Sequence, residues 1–136
     1  MGFCVNSLLG ELLKEYRYNT ILKKQSNDLK QSCENLTITE TGRCLNKELK
    51  KIFNYNISNV GKKITIEELE KEGGVCDHYA SWYVQKGKEL GFISEKFVFK
   101  YGNGKAHAIA IISNEEGYCF MDMIYFQCFE WAKDIG

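Results

Sequence analysis

No proline occurs among the 136 residues, where about 5% is usual. The chain is rich in Asn, Lys, Ile and Tyr, so we read this as compositional bias and not as a structural device. Net charge is missing too: 18 Lys and Arg balance 18 Asp and Glu. That balance leaves no electrostatic footprint for nucleic acid or for an anionic membrane. No apolar run approaches the ~20 residues that a membrane span needs. The first thirteen residues lack a basic region and a small-residue cleavage site, so no secretory signal is expected. Asn6 stands where a myristoylation motif wants Ser or Thr. The six cysteines (Cys4, Cys33, Cys44, Cys76, Cys119 and Cys128) show no CxxC or CxxH spacing. Without a secretory signal the expectation is free thiols and a cytoplasmic location, not a disulfide framework. The sequons at Asn35 and Asn56 then carry no weight.

What is present is an ordinary globular composition. Apolar residues make up 44% and charged residues 26%, which excludes a disordered chain, a collagen and a long coiled coil. The length suits one domain, 1–136, with a core of its own.

Helical spacing dominates the first third. Leu8, Leu9, Leu12, Leu13 and Tyr16 recur on one face, followed by Leu29, Cys33 and Leu36. Residues 1–40 thus read as a helical N-terminal segment, except that Asn35–Gly42, rich in Thr and Asn, reads as a loop. Leu45, Leu49, Ile52 and Phe53 mark a short amphipathic helix, and 54–63 a polar connection. Thr65 followed by Glu68 is a capping box that opens a helix over Ile66–Glu72, and Gly73-Gly74 ends it. A second helix opens near Cys76, with Cys76, Tyr79, Ala80, Tyr83, Gly87 and Leu90 on one face and Gly91 as its left-handed cap. The period then changes to two. Phe97, Phe99 and Tyr101 alternate in a strand, and Gly102-Asn103-Gly104 turns the chain. Ala106–Ser113 and Tyr118–Tyr125 are two further strands joined through 114–117. Helices followed by an antiparallel sheet make an α+β domain.

Three residues can carry chemistry together. Cys76 stands in the first turn of a helix, where unpaired N–H groups and the macrodipole favour a thiolate. The glycines before it would let the backbone approach a substrate closely. On its own, Cys76 equally suits a small buried core position. His107 interrupts an apolar strand and shares a face with Ile109 and Ile111. Asp122 sits among Phe120, Met121, Met123 and Ile124, where a carboxylate is costly unless paired. A tight hairpin about 114–116 pairs positions whose numbers sum to about 229 to 231. His107 then lies opposite or diagonal to Asp122, within side-chain reach. The Asp can hold one ring nitrogen and leave the other for the cysteine, the arrangement of nucleophile, base and orienting group. A structural His–Asp pair stabilising the hairpin satisfies the same spacing.

Gly73-Gly74-Val75-Cys76, followed by Tyr79-Ala80, resembles the nucleophile motif of transglutaminase-like domains, a branch of the papain-like cysteine peptidase fold. Leu90-Gly91 at the helix end, His107-Ala108 on a strand and Asp122 on the next strand match in order. The resemblance covers roughly 45–125. It implies that Cys76 is the nucleophile, His107 the general base and acid, and Asp122 the group that orients His107. The implied reaction is acyl transfer from an amide through a thioester: hydrolysis of a protein or peptide substrate, or transamidation. It requires no cofactor and no metal. The Cys76 backbone N–H would bind part of the oxyanion, with Asn54, Tyr55 and Asn56 as candidates for a second donor. Two departures bear on specificity: Ile109 stands where an aromatic often follows His-Ala, and little more than 126–131 follows Asp122.

Other features carry less. Residues two apart on a helix face away from each other, so His78 is expected at the helix surface or cleft rim and not beside Cys76. The Cys-x-His spacing is poor for zinc. Asp77 suits the helix dipole and needs no catalytic role. Trp82, Tyr83, Phe97, Phe99, Cys119 and Cys128 are expected in the core, and the lysine pairs on solvated faces. The rival to an enzyme is a module of the same fold that binds protein without turnover. Oligomeric state is not readable from the sequence.

Overall fold

A computed structural model describes residues 32–131. Three helices pack against a four-stranded antiparallel sheet: α1 (Ile38–Ile52), α2 (Ile66–Glu72), α3 (Cys76–Glu89), β1 (Ile93–Lys100), β2 (Ala106–Asn114), β3 (Gly117–Asp122) and β4 (Tyr125–Glu130). The strands lie in sequence order, β1-β2-β3-β4. The α+β class is therefore observed. The N-terminal helical segment predicted before residue 32 lies outside the described residues.

Helix α1 corrects the loop expected over Asn35–Gly42. Thr37 is its N-cap: the hydroxyl accepts from Glu40 N–H at 3.2 Å, and Glu40 accepts from Thr37 N–H at 3.1 Å. This capping box satisfies two of the N–H groups that a helix start leaves over. Ile38, Leu45 and Leu49 then fall on the buried face. Each such side chain contributes roughly 1.5–3 kcal/mol by leaving water. Gly42 is on that face because a Cβ there would lie 2.6 Å from Cys128 Sγ and 2.8 Å from Cys119 Sγ. The helix thus packs directly on a disulfide. The Thr65–Glu68 box opens α2 as expected.

Cys119 and Cys128 face each other across β3 and β4 and are bridged, as are Cys33 and Cys44. No free cysteine occurs among the described residues. The expectation of free thiols is overturned at Cys33, Cys44, Cys119 and Cys128. No helix among the described residues is long and apolar enough to cross a membrane.

In β2, Ala106, Ala108, Ala110 and Ile112 are buried while Ile109 and Ile111 are half-buried. The first set packs under α3, which lies on β1 and β2, whereas α1 lies on β3 and β4. Tyr79 and Tyr83 fill the space between. Phe97 and Phe99 do not join this core as expected; they are 39% and 47% exposed, on the alternate positions of β1. The strand expected over Tyr118–Tyr125 is also corrected. It breaks at Met123-Ile124, Asp122 pairs with Tyr125, and β4 follows as a fourth strand.

Candidate active site

The chain enters the site through Gly73-Gly74-Val75. Gly73 ends α2 at φ +82°, and a Cβ there would lie 2.0 Å from Asn54 O. A neighbouring stretch grips this segment. Gly74 N–H donates to Asn54 O at 3.1 Å, and Asn56 N–H donates to Gly74 O at 2.8 Å. The Asn59 amide donates to Gly73 O at 2.7 Å, and the Asn56 amide to Glu72 O at 2.7 Å. The Tyr79 hydroxyl donates to Asn54 O and accepts from Asn54 N–H, both at 2.9 Å. Burial pushes the Tyr79 hydroxyl above its usual pKa, against the opposing hydrogen bonds from Asn54 and Gly74. These glycines therefore serve a close approach of chain to chain.

Cys76 is the first residue of α3 and is fully buried. It packs with Val75, Ala80, Ala106 and Ala108, and with Val60, Val98 and Met123 at the margin. Ala106 and Ala108 flank His107 in the chain, and Met123 comes directly after Asp122. Cys76 is itself disulfide-bonded. In this state its sulfur is not a thiolate.

The histidine and the aspartate are brought together as expected. His107 Nε2 lies 2.8 Å from Asp122 Oδ1. The β2–β3 ladder runs from Asn114↔Gly117 to Ala110↔Met121. Continuing that register puts Asp122 opposite Ile109 and diagonal to His107. His107 is buried, whereas the Asp122 side chain is 41% exposed. The other ring nitrogen, Nδ1, is buried and has no hydrogen-bond partner among the described residues. With Asp122 accepting from Nε2–H, the neutral ring carries a bare lone pair on Nδ1. A buried polar atom in that condition costs roughly 1–3 kcal/mol.

His78 departs from its predicted place at the surface or cleft rim. It is fully buried. Its Nδ1 accepts from Val75 N–H at 3.0 Å, and Nε2 lies 2.8 Å from Lys62 O. One neutral tautomer satisfies both contacts. The ring caps the start of α3 and ties it to the preceding connection. Asp77, next to the candidate nucleophile, is buried and pairs with Lys96 at 2.7 Å; Lys96 also reaches Ser81 Oγ at 3.1 Å. The helix dipole accounts for an acid at this position, and its partner comes from far along the chain, on β1.

Of the three candidates for a second oxyanion donor, the Asn54 and Asn56 amides both donate to Glu72 O. Tyr55 is the third candidate. Its backbone bridges to Gly74 and its ring is partly exposed, and partial burial pushes its hydroxyl pKa up. Among the described residues no cluster of three or more His, Cys, Asp or Glu side chains is placed to hold a metal ion.

No protein-family model matches the chain, and neither does any curated protein or solved structure.

Proposed function

We propose that the protein is a cysteine-nucleophile acyl transferase of the transglutaminase-like kind, acting on amide bonds of proteins or peptides, with Cys76, His107 and Asp122 as its triad. The observation that carries this reading is the His107 ring. One nitrogen is held by a carboxylate, and the other is buried with no hydrogen-bond partner among the described residues. The Cys76 position at a helix start supplies the field that a thiolate needs.

Turnover first requires reduction of the Cys76 disulfide. A dithiol reductant donates two electrons, becomes a disulfide and releases the Cys76 thiol. His107 Nδ1 then takes the thiol proton. The sulfur attacks the amide carbon, the C–S bond forms, and the C–N bond breaks as His107 returns the proton to the leaving amine. Water or a second amine attacks the thioester, giving up its proton to His107. A carboxylic acid or a new amide leaves, and the sulfur departs as the Cys76 thiol, taking the proton back from His107. The Cys76 N–H and Tyr55 are the groups we assign to the oxyanion. The bridges at Cys33–Cys44 and Cys119–Cys128 favour an oxidising compartment over the cytoplasm.

A second reading, a binding module without turnover, has two observations in its favour. Cys76 is disulfide-bonded, and it packs on the alanine side of β2, while strand alternation gives His107 the side of Ile109 and Ile111. The test is to incubate the reduced chain with glutamine- and anilide-containing peptides, quench in acid and map adducts by mass. A thioester on Cys76, lost in Cys76→Ser, is expected. Full reduction at Cys76 with no adduct from any acyl donor selects the binding module.

A further inference from the structure

Asp122 stands one residue beyond the last β2–β3 pair, Ala110↔Met121. The ladder that aligns the rest of β3 with β2 therefore does not hold it. Immediately after it the chain makes a two-residue turn, Met123-Ile124, between the paired residues Asp122 and Tyr125. Met123 has φ +51°, a left-handed conformation that is unfavourable for a residue with a Cβ. Neither turn residue is the Gly, Asn or Asp that such turns favour, so the local sequence does not impose this shape.

Two buried side chains from different helices do. Tyr83, on α3, donates its hydroxyl hydrogen to Met123 O at 2.7 Å. Asn46, on α1, donates one amide hydrogen to Ile124 O at 2.9 Å and the other to the Tyr83 hydroxyl at 3.3 Å. Both turn carbonyls are thus held, and both amide hydrogens are used. Burial drives the Tyr83 hydroxyl pKa far above its usual value, against the Asn46 hydrogen bond and with a contribution from the Asp122 charge. It therefore remains a donor wherever the protein is folded.

We infer that Asn46 and Tyr83 are positioning residues: they clamp the Met123-Ile124 turn and thereby hold the Asp122 carboxylate on His107 Nε2. The inference rests on the Cys-His-Asp reading of the site. It adds two residues from two helices to that site, and it gives the turn's unfavourable backbone a purpose. Loss of either donor lets the turn relax to an ordinary conformation and draws Asp122 away from the ring. His107 then loses its fixed tautomer without losing its place in the strand.

The experiment is a cycle on the full reduced chain, reading the rate of Cys76 alkylation by iodoacetamide with sites mapped by mass. Tyr83→Phe keeps the ring and removes the hydroxyl. It is expected to slow Cys76 about tenfold or more, as Asp122→Ala does, and to add nothing when combined with Asp122→Ala. A general loosening of the fold would slow the Asp122→Ala background further and would speed labelling at other buried cysteines. Equal slowing by Tyr83→Phe in both backgrounds overturns the clamp, as does wild-type reactivity in Tyr83→Phe while Asp122→Ala is slow. Wild-type reactivity in Asp122→Ala itself strikes the triad reading instead. Should Tyr83→Phe not fold, Asn46→Ala is read in the same cycle by the same outcomes.

Discussion

His78 and His107 are both buried, and they use their ring nitrogens differently. His78 spends both on the backbone, at Val75 N–H and Lys62 O. His107 spends one on Asp122 and keeps the other vacant. Replacing His78 by Ala leaves a buried N–H without its acceptor and a gap under α3. We expect a loss of about 2–3 kcal/mol, read as a shifted urea midpoint. Replacing His107 by Ala should cost less stability, because no hydrogen bond to Nδ1 is lost. It should instead lower acyl transfer by about 10²–10⁴-fold, the usual worth of a general base. The reverse ranking would exchange the roles assigned to the two rings. The His107–Asp122 contact was legible because counting back from a tight hairpin fixes which residues meet. His78 was not: the two-residue spacing shows only that it faces away from Cys76, and nothing local shows that its ring folds back on Val75.

At the level of elements, the two capping boxes behave alike in the structure and differ in the sequence. Thr65 and Glu68 precede an apolar run and could be read directly. Thr37 and Glu40 have the same spacing inside a Thr- and Asn-rich stretch, and that composition masked the start of α1. Thr37→Ala and Thr65→Ala should each cost about 1 kcal/mol, seen as a lowered melting temperature. The Thr37 box also has a pH signature. The backbone N–H and then the hydroxyl of Thr37 hold the Glu40 carboxyl below its usual range. That contribution is present above the unfolded pKa and is lost as pH falls through the lower folded value. In Thr37→Ala the backbone N–H stays and only the smaller, hydroxyl contribution is lost, so the acid limb of the stability curve should flatten in part. The break at Met123-Ile124 escaped notice for a different reason. Its conformation is imposed by Asn46 and Tyr83 from two helices, with no turn residue to announce it, so one long strand was read where two stand.

At the scale of the whole molecule, helix-then-sheet order was readable from the change of apolar period. The disulfides were not: cysteine spacing alone does not tell which thiols meet. Buried tyrosines set the alkaline limit of the fold. Tyr83 and Tyr79 keep their protons above the usual value near 10. The unfolded chain therefore releases them first, so their stabilising contribution is fully present below about 10 and should be lost as pH rises through the folded values. Tyr83→Phe should flatten that alkaline limb, as followed by urea midpoints.

The account turns on whether His107 activates Cys76. The most direct measurement is the alkylation rate of each cysteine in the folded, reduced chain, for the wild type and His107→Ala, across pH. We predict that Cys76 reacts faster than Cys33, Cys44, Cys119 and Cys128 near neutrality, and that His107→Ala slows it about 100-fold or more while leaving the others unchanged. A Cys76 that labels no faster than its neighbours, at a rate indifferent to His107, would contradict the account and leave a disulfide-bonded binding domain.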